Sequence, residues 1–84
     1  MTEPEIRQQV RAFILSNFAD ESTSSELEDH TSFEALHLID SVRALDVILF
    51  VEESFSIEVA NEEALPENFD SIDNIVAYVQ SKQG

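Results

Sequence analysis

Cysteine and tryptophan are absent from this 84-residue chain, and glycine occurs once, at Gly84. Without cysteine there is no disulfide, no thiolate nucleophile and no cysteine-ligated zinc, so the fold stands on packing alone and suits a reducing compartment. Without internal glycine there is no glycine-rich loop to cradle a phosphate. Positive charge is scarce as well: 4 Lys+Arg stand against 18 Asp+Glu, a formal charge of -14. Such a field repels phosphate backbones and anionic lipid, which sets aside nucleic-acid and membrane-surface roles and favours protein partners with basic surfaces. No apolar run approaches the roughly 18 residues of a membrane span, and the start Met1-Thr2-Glu3-Pro4-Glu5 has neither a basic nor an apolar leader region. A cytoplasmic monomer is expected. A chain this short buries only about 60% of its unfolded surface. That suffices for one modest core, a single domain over 1–84, and leaves little with which to enclose a catalytic cavity.

What is present is a hydrophobic fraction of 43%, usual for a folded domain, arranged with helical periodicity. Thr2-x-x-Glu5 matches a capping box, and Ile6, Val10, Phe13, Ile14 and Phe18 follow at helical spacing, with Arg7, Gln8, Gln9 and Arg11 facing away. These aromatics read as core. From Ala19 to Asp40 the pattern dissolves into a long connection in which Leu27, Phe33 and Leu36 are spaced to pin it across a helical core. Thr31 to Leu36 is expected to make one helical turn, and the serines at 22–25 to be solvated. A second helix is predicted from Ser41 to Phe55, with Asp40 or Ser41 as cap. Asn61 is expected to cap a short helix through Leu65 that Pro66 terminates, and Ser71 a last helix carrying Ile72, Ile75, Val76 and Val79 inward. The acids at 20–29 and around 58–67 read as solvating charge.

The second helix holds the most informative pattern in the chain. Ala44, Val47, Ile48, Val51 and Phe55 form one inward stripe, while Val42, Leu45 and Leu49 form another, edged by Asp46, Glu52 and Glu53. Two stripes exceed what one small core requires. Either this is a central helix buried on most sides, or the 42/45/49 stripe is a docking surface ringed by acid. His37, Asp40 and Ser41 lie within about one turn and lack the supporting cavity and oxyanion donors of a catalytic triad. His30 beside Glu28 and Asp29, or His37 with Asp40, has no zinc or calcium spacing. Asp40-Ser41-Val42 at a helix start reads first as a cap. A phosphodiester on such a serine is nonetheless compatible with the N–H groups and positive dipole of the helix end.

Leu38-Ile39-Asp40-Ser41-Val42, followed by Leu45-x-x-x-Leu49-x-x-Glu52-Glu53-x-Phe55-x-Ile57-Glu58-Val59, resembles the Asp-Ser-Leu motif and recognition helix of the acyl and peptidyl carrier protein family. The resemblance covers nearly the whole chain. It implies an all-α, four-helix acyl-carrier-like bundle of three principal helices plus one short helix, with a long loop between helices 1 and 2. It further implies that Ser41 bears a 4'-phosphopantetheine arm supplied by coenzyme A, that Asp40 assists the phosphopantetheinyl transferase, and that Val42, Arg43, Leu45, Asp46, Leu49, Glu52 and Glu53 face partners. Those partners are the transferase, an acyl- or amino-acid-activating ligase and a downstream synthase or transferase; the chain itself catalyses nothing. Leu38 stands where the family often has Gly, and Arg43 where fatty-acid carriers show an acid. With the ending Leu65-Pro66-Glu67-Asn68-Phe69-Asp70-Ser71-Ile72, they point to an aminoacyl or peptidyl carrier charged by a separate adenylating ligase. The alternatives are a fatty-acid or polyketide type acyl carrier and, in another class, an acidic helical adaptor with no prosthetic group.

Overall fold

The computed structural model describes residues 2–18, 27–36 and 41–83, with Ser41 and Pro66 described by their backbone. Among these residues there are four α-helices: α1 (Glu3–Asn17), α2 (Ser41–Phe55), α3 (Pro66–Phe69) and α4 (Ile72–Gln83), with a 3-10 turn at Asn61–Glu63 between α2 and α3. The expected all-α architecture is present, and none of these helices is long and apolar enough to cross a membrane.

Apolar residues at helical spacing place the core on the inner faces of α1, α2 and α4. Ile6, Val10 and Ile14 of α1 meet Val47, Val51 and Phe55 of α2 and Ile72, Ile75, Val76 and Val79 of α4, all buried. Each such side chain contributes about 1.5–3 kcal/mol when taken from water. Phe13 of α1 stacks on Phe50 of α2 with ring centroids 4.0 Å apart, and Phe18 meets Phe13 edge-on at 5.4 Å. These rings pack as core, in line with the periodicity of α1. Tyr78 is buried too, a core residue that the apolar stripe of α4 did not single out.

At the start of α1 the chemistry differs from the expected capping box. Thr2 makes no side-chain cap; its hydroxyl donates to Glu5 Oε1 at 3.1 Å. Glu3 and Glu5 still occupy the positive end of the helix, where acids are favourable. A larger correction concerns Arg7 and Arg11, expected to face away. Both are half-buried: Arg7 donates to Glu3, Asp29 and Asp73, and Arg11 donates to Asp29 Oδ1 at 3.0 Å and to the Leu27 carbonyl at 2.7 Å. The arginines clamp the connection and the start of α4 onto α1.

Within that connection Leu27 and Phe33 are buried and Leu36 packs against the core, as their spacing implied. Residues 33–36 form a turn, within the stretch where a single turn was expected, and the segment is tied to the residues before α4. Ser32 Oγ donates to Asp70 Oδ2, the Glu34 N–H to Asp70 Oδ1, and the Phe33 N–H to the Asp70 carbonyl at 2.7 Å. Asp29, expected to be solvating charge, accepts from the Asp73 N–H through its carbonyl at 2.8 Å while its carboxylate meets the arginines. The serines at 22–25 lie outside the described residues.

Beyond α2 the short elements also differ from expectation. Ala60, not Asn61, precedes the 3-10 turn, and Pro66 opens α3 and does not merely end what precedes it. Proline fits the first helical position because its missing N–H has no partner there to lose. Ser71 caps α4 as expected, its Oγ accepting from the Asn74 N–H at 3.0 Å. Glu63, grouped with the solvating acids, instead meets Lys82 Nζ at 2.7 Å and accepts from the Tyr78 hydroxyl at 3.2 Å. At the far end of α2, Ser56 adopts a left-handed backbone with φ 54°, a conformation that ordinarily falls to glycine.

Candidate functional site

Fifteen residues without glycine or proline carry α2 from Ser41 to Phe55, the bounds expected from sequence. A helix of this length presents four turns, and the core takes only one side of it. Ala44 and Ile48 are half-buried beside the buried Val47, Val51 and Phe55. Val42, Leu45 and Leu49 point the other way, with exposures of 68%, 61% and 54%. Their spacing of i, i+3, i+7 makes a continuous apolar stripe in water. Of the two readings of the double stripe, burial on most sides is therefore wrong. The stripe is an exposed apolar strip edged by charged residues.

The charged edge divides into three kinds of residue. Asp46 and Glu53 are exposed beside the stripe. Glu52, grouped with them from sequence, is half-buried, and its Oε2 accepts the Val59 N–H at 3.0 Å, tying the segment after α2 back onto the helix. Arg43 is exposed, with its guanidinium carbon 5.7 Å from the centre of the Phe18 ring. Helical spacing assigns Phe18 to the core alone; a cation–π contact depends on α1 and α2 lying side by side, which spacing within either segment does not reveal. Residue 41 is the first of α2, so the stripe begins one residue beyond it. Asp40, His37 and Leu38 lie outside the described residues, as does the side chain of Ser41.

Elsewhere the electrostatics serve the fold. Hydrogen bonds that Arg7 donates to Asp73 and Glu3, then to Asp29, hold its guanidinium even more firmly protonated than usual. The Lys82 ammonium lowers Glu63 below its ordinary value, and Glu63 in turn raises Lys82. Burial, followed by the nearby Glu63 charge, raises the Tyr78 hydroxyl. His30 Nε2 lies 3.2 Å from Glu28 Oε2 with both side chains exposed. Among the described residues no group of three or more His, Asp or Glu side chains is arranged to hold a metal ion.

No family model matches the chain. Two curated proteins do, each along 100% of both chains. An acyl carrier protein of Akkermansia muciniphila is 33% identical over 84 residues, and an acyl carrier protein of Lactobacillus acidophilus is 30% identical over 84 residues.

Proposed function

We propose, given that this chain belongs to the acyl carrier protein family, that it carries acyl or aminoacyl groups on a 4'-phosphopantetheine arm joined to Ser41. The observation that carries the reading is the exposed Val42, Leu45 and Leu49 stripe, which starts one residue after Ser41 at the head of α2. When bound, the arm supplies the thiol on which cargo rides as a thioester, which accounts for a carrier with no cysteine of its own. The residues present fit such a group. Val42 and Arg43, which follow residue 41 in the first turn of α2, are both exposed. A phosphodiester at the first position of a helix also lies against the N–H groups and positive dipole of that end.

The chain's own part is presentation. Val42, Leu45 and Leu49 offer apolar contact, Asp46 and Glu53 offer negative charge that speeds encounter with basic enzyme surfaces, and Glu52 bridges the face to the segment behind it. Asp40 assists the phosphopantetheinyl transferase. Cargo is loaded by a separate adenylating ligase and handed to a downstream synthase or transferase, with no catalysis by the carrier. Arg43 and the Leu65–Ile72 segment favour an aminoacyl or peptidyl cargo over a fatty-acid one.

Intact mass after incubation with coenzyme A and a promiscuous phosphopantetheinyl transferase tests the assignment. The parent chain is expected to gain one arm, while Ser41→Ala folds with the same circular dichroism spectrum and gains none. A parent that stays unmodified, or a Ser41→Ala chain that is modified, defeats the reading in favour of a plain acidic adaptor. Supplying the armed chain with adenylating ligases and either amino acids or fatty acids then separates the two cargo classes.

A further inference from the structure

We infer that Glu63 guards Lys82, the one lysine of the chain, from acylation by the thioesters a carrier handles, pairing with its amine at the foot of α2, a helix length from residue 41. The thioesters are those of the carrier reading, on which the guard therefore rests.

A thioester is open to attack by thiols and by free amines. The chain has no cysteine, and of its four Lys+Arg only Lys82 is a lysine, although lysine is among the commonest residues of folded domains. Arg7, Arg11 and Arg43 are the other three cations. A guanidinium stays charged in a protein and has no lone pair to offer a carbonyl. Lysine differs. As the free amine its nitrogen attacks the thioester carbonyl carbon; a C–N bond forms, the C–S bond breaks, and the sulfur leaves as a thiol with the proton the nitrogen gives up. The resulting amide is a dead end for cargo. As an ammonium the same nitrogen is a donor only and cannot attack.

Two features of the fold keep Lys82 from this reaction. Its Nζ lies 2.7 Å from Glu63 Oε1, and the Tyr78 hydroxyl donates to the same oxygen at 3.2 Å, which fixes the carboxylate in place. Glu63 is itself held at the end of the 3-10 turn, where its carbonyl accepts from Asn68 Nδ2 at 2.8 Å. The ammonium also stands 5.9 Å from the centre of the Tyr78 ring, whose face attracts a cation and not a neutral amine. The hydrogen bond to Glu63 raises Lys82 above its ordinary value against the opposing effect of burial, and the charges of Glu63, Tyr78 and Glu58 add to it. The second feature is position. Gln83, the next residue, donates its side-chain N–H to the Phe55 carbonyl at 3.4 Å, so the end of α4 meets the last residue of α2. Residue 41 is the first residue of that helix, about 21 Å away at 1.5 Å per residue. Acylation would also remove the charge that binds Glu63, so the guard preserves the tie between the 3-10 turn and α4.

The test uses the full chain without an arm and acetyl-coenzyme A as the thioester, with acetylation of Lys82 read by peptide mass spectrometry at about pH 8.5, where a fraction of lysine is free amine. Glu63→Gln is expected to be acetylated at Lys82 about two- to fivefold faster than the parent, the range of a half-exposed ion pair, while the α-amino group of the same chain keeps its rate. Lys82→Arg is expected to take no acetyl group at that position. A merely structural Glu63 would change the rate by loosening the end of α4 and leave the protonation of Lys82 alone. The titration midpoint of the Lys82 side chain is therefore followed by NMR, and it is expected to fall in Glu63→Gln. Equal rates in Glu63→Gln and the parent, or a faster rate with an unmoved midpoint, overturn the proposal. If Glu63→Gln does not fold, the parent carries the test: Lys82 acetylation is expected to rise relative to that of the α-amino group as salt screens the pair, and a ratio indifferent to salt overturns the proposal. A parent chain that gains no arm from a phosphopantetheinyl transferase, with acetylation rates that differ as expected, instead removes the carrier reading.

Discussion

Asp29 and Asp46 have the same side chain and opposite settings. Asp29 lies under Arg7 and Arg11, with its carbonyl bound to the Asp73 N–H, and helps fasten the connection and α4 to α1. Asp46 stands exposed beside Leu45 and Leu49. The apolar residues of the two regions follow suit. Leu27 and Phe33 near Asp29 are buried, whereas Leu45 and Leu49 around Asp46 face water. A net charge of -14 is thus no uniform property of the surface. The acid that meets the arginines is part of the fold, and the acid that stands exposed on α2 leaves its charge on the surface.

Removing the best-buried residue of the fastened region should show the largest effect. Phe33→Ala is expected to cost about 3–5 kcal/mol in urea unfolding, enough to leave a chain this small largely unfolded. On the outer face of α2 the same measurement should barely register. Leu49→Glu is expected to change stability by less than about 0.5 kcal/mol while slowing arming by a phosphopantetheinyl transferase by about tenfold or more. A Leu49→Glu chain that unfolds would erase the contrast between the two faces.

Smaller effects sharpen it. Arg7→Met leaves Asp29 and Asp73 without one of their donors, and because the site is about a third exposed we expect a loss of about 1–2 kcal/mol at low salt, less at high salt. The smallest effect is a pH dependence. Lys82 holds Glu63 below its ordinary value of 4.5. A carboxyl lowered in the folded state stabilises fully above its unfolded value, and that contribution is lost as pH falls through the folded one. The difference in urea midpoint between the parent and Glu63→Gln should hold steady from about pH 7 to 5 and close below about 4.5. A difference that grows on acidification would contradict the pairing.

The parts of this picture that were legible in the sequence are those fixed within a few turns of one helix. The bounds of α2 and its two stripes follow from an unbroken run of residues at 3.6-residue spacing, and the Ser71 cap from a serine three residues before the N–H it accepts. The roles of Arg7 and Arg11 are not legible because periodicity reports only the face on which a residue lies. Their partners Asp29 and Asp73 are 18 to 66 positions away, and only the packed connection brings them together. Pro66 is ambiguous for a different reason: proline both stops one helix and starts the next, and the residues around it do not distinguish the two. On the site itself, the sequence grouped Glu52 with Asp46 and Glu53. Its bond to the Val59 N–H depends on the chain folding back after α2, which no helical pattern encodes.

The left-handed Ser56 at the end of α2 bears on how this chain can change over time. A non-glycine residue in that conformation costs about 1–2 kcal/mol, partly offset because serine restricts the unfolded chain more than glycine does. Glycine at this one exposed position is therefore a latent stabilising step, lying past the last turn of α2 and apart from Val42, Leu45 and Leu49. A lineage that acquires it gains tolerance for destabilising changes elsewhere, including on the exposed face of α2. The scarcity of glycine thus leaves α2 with unused evolutionary slack at its far end.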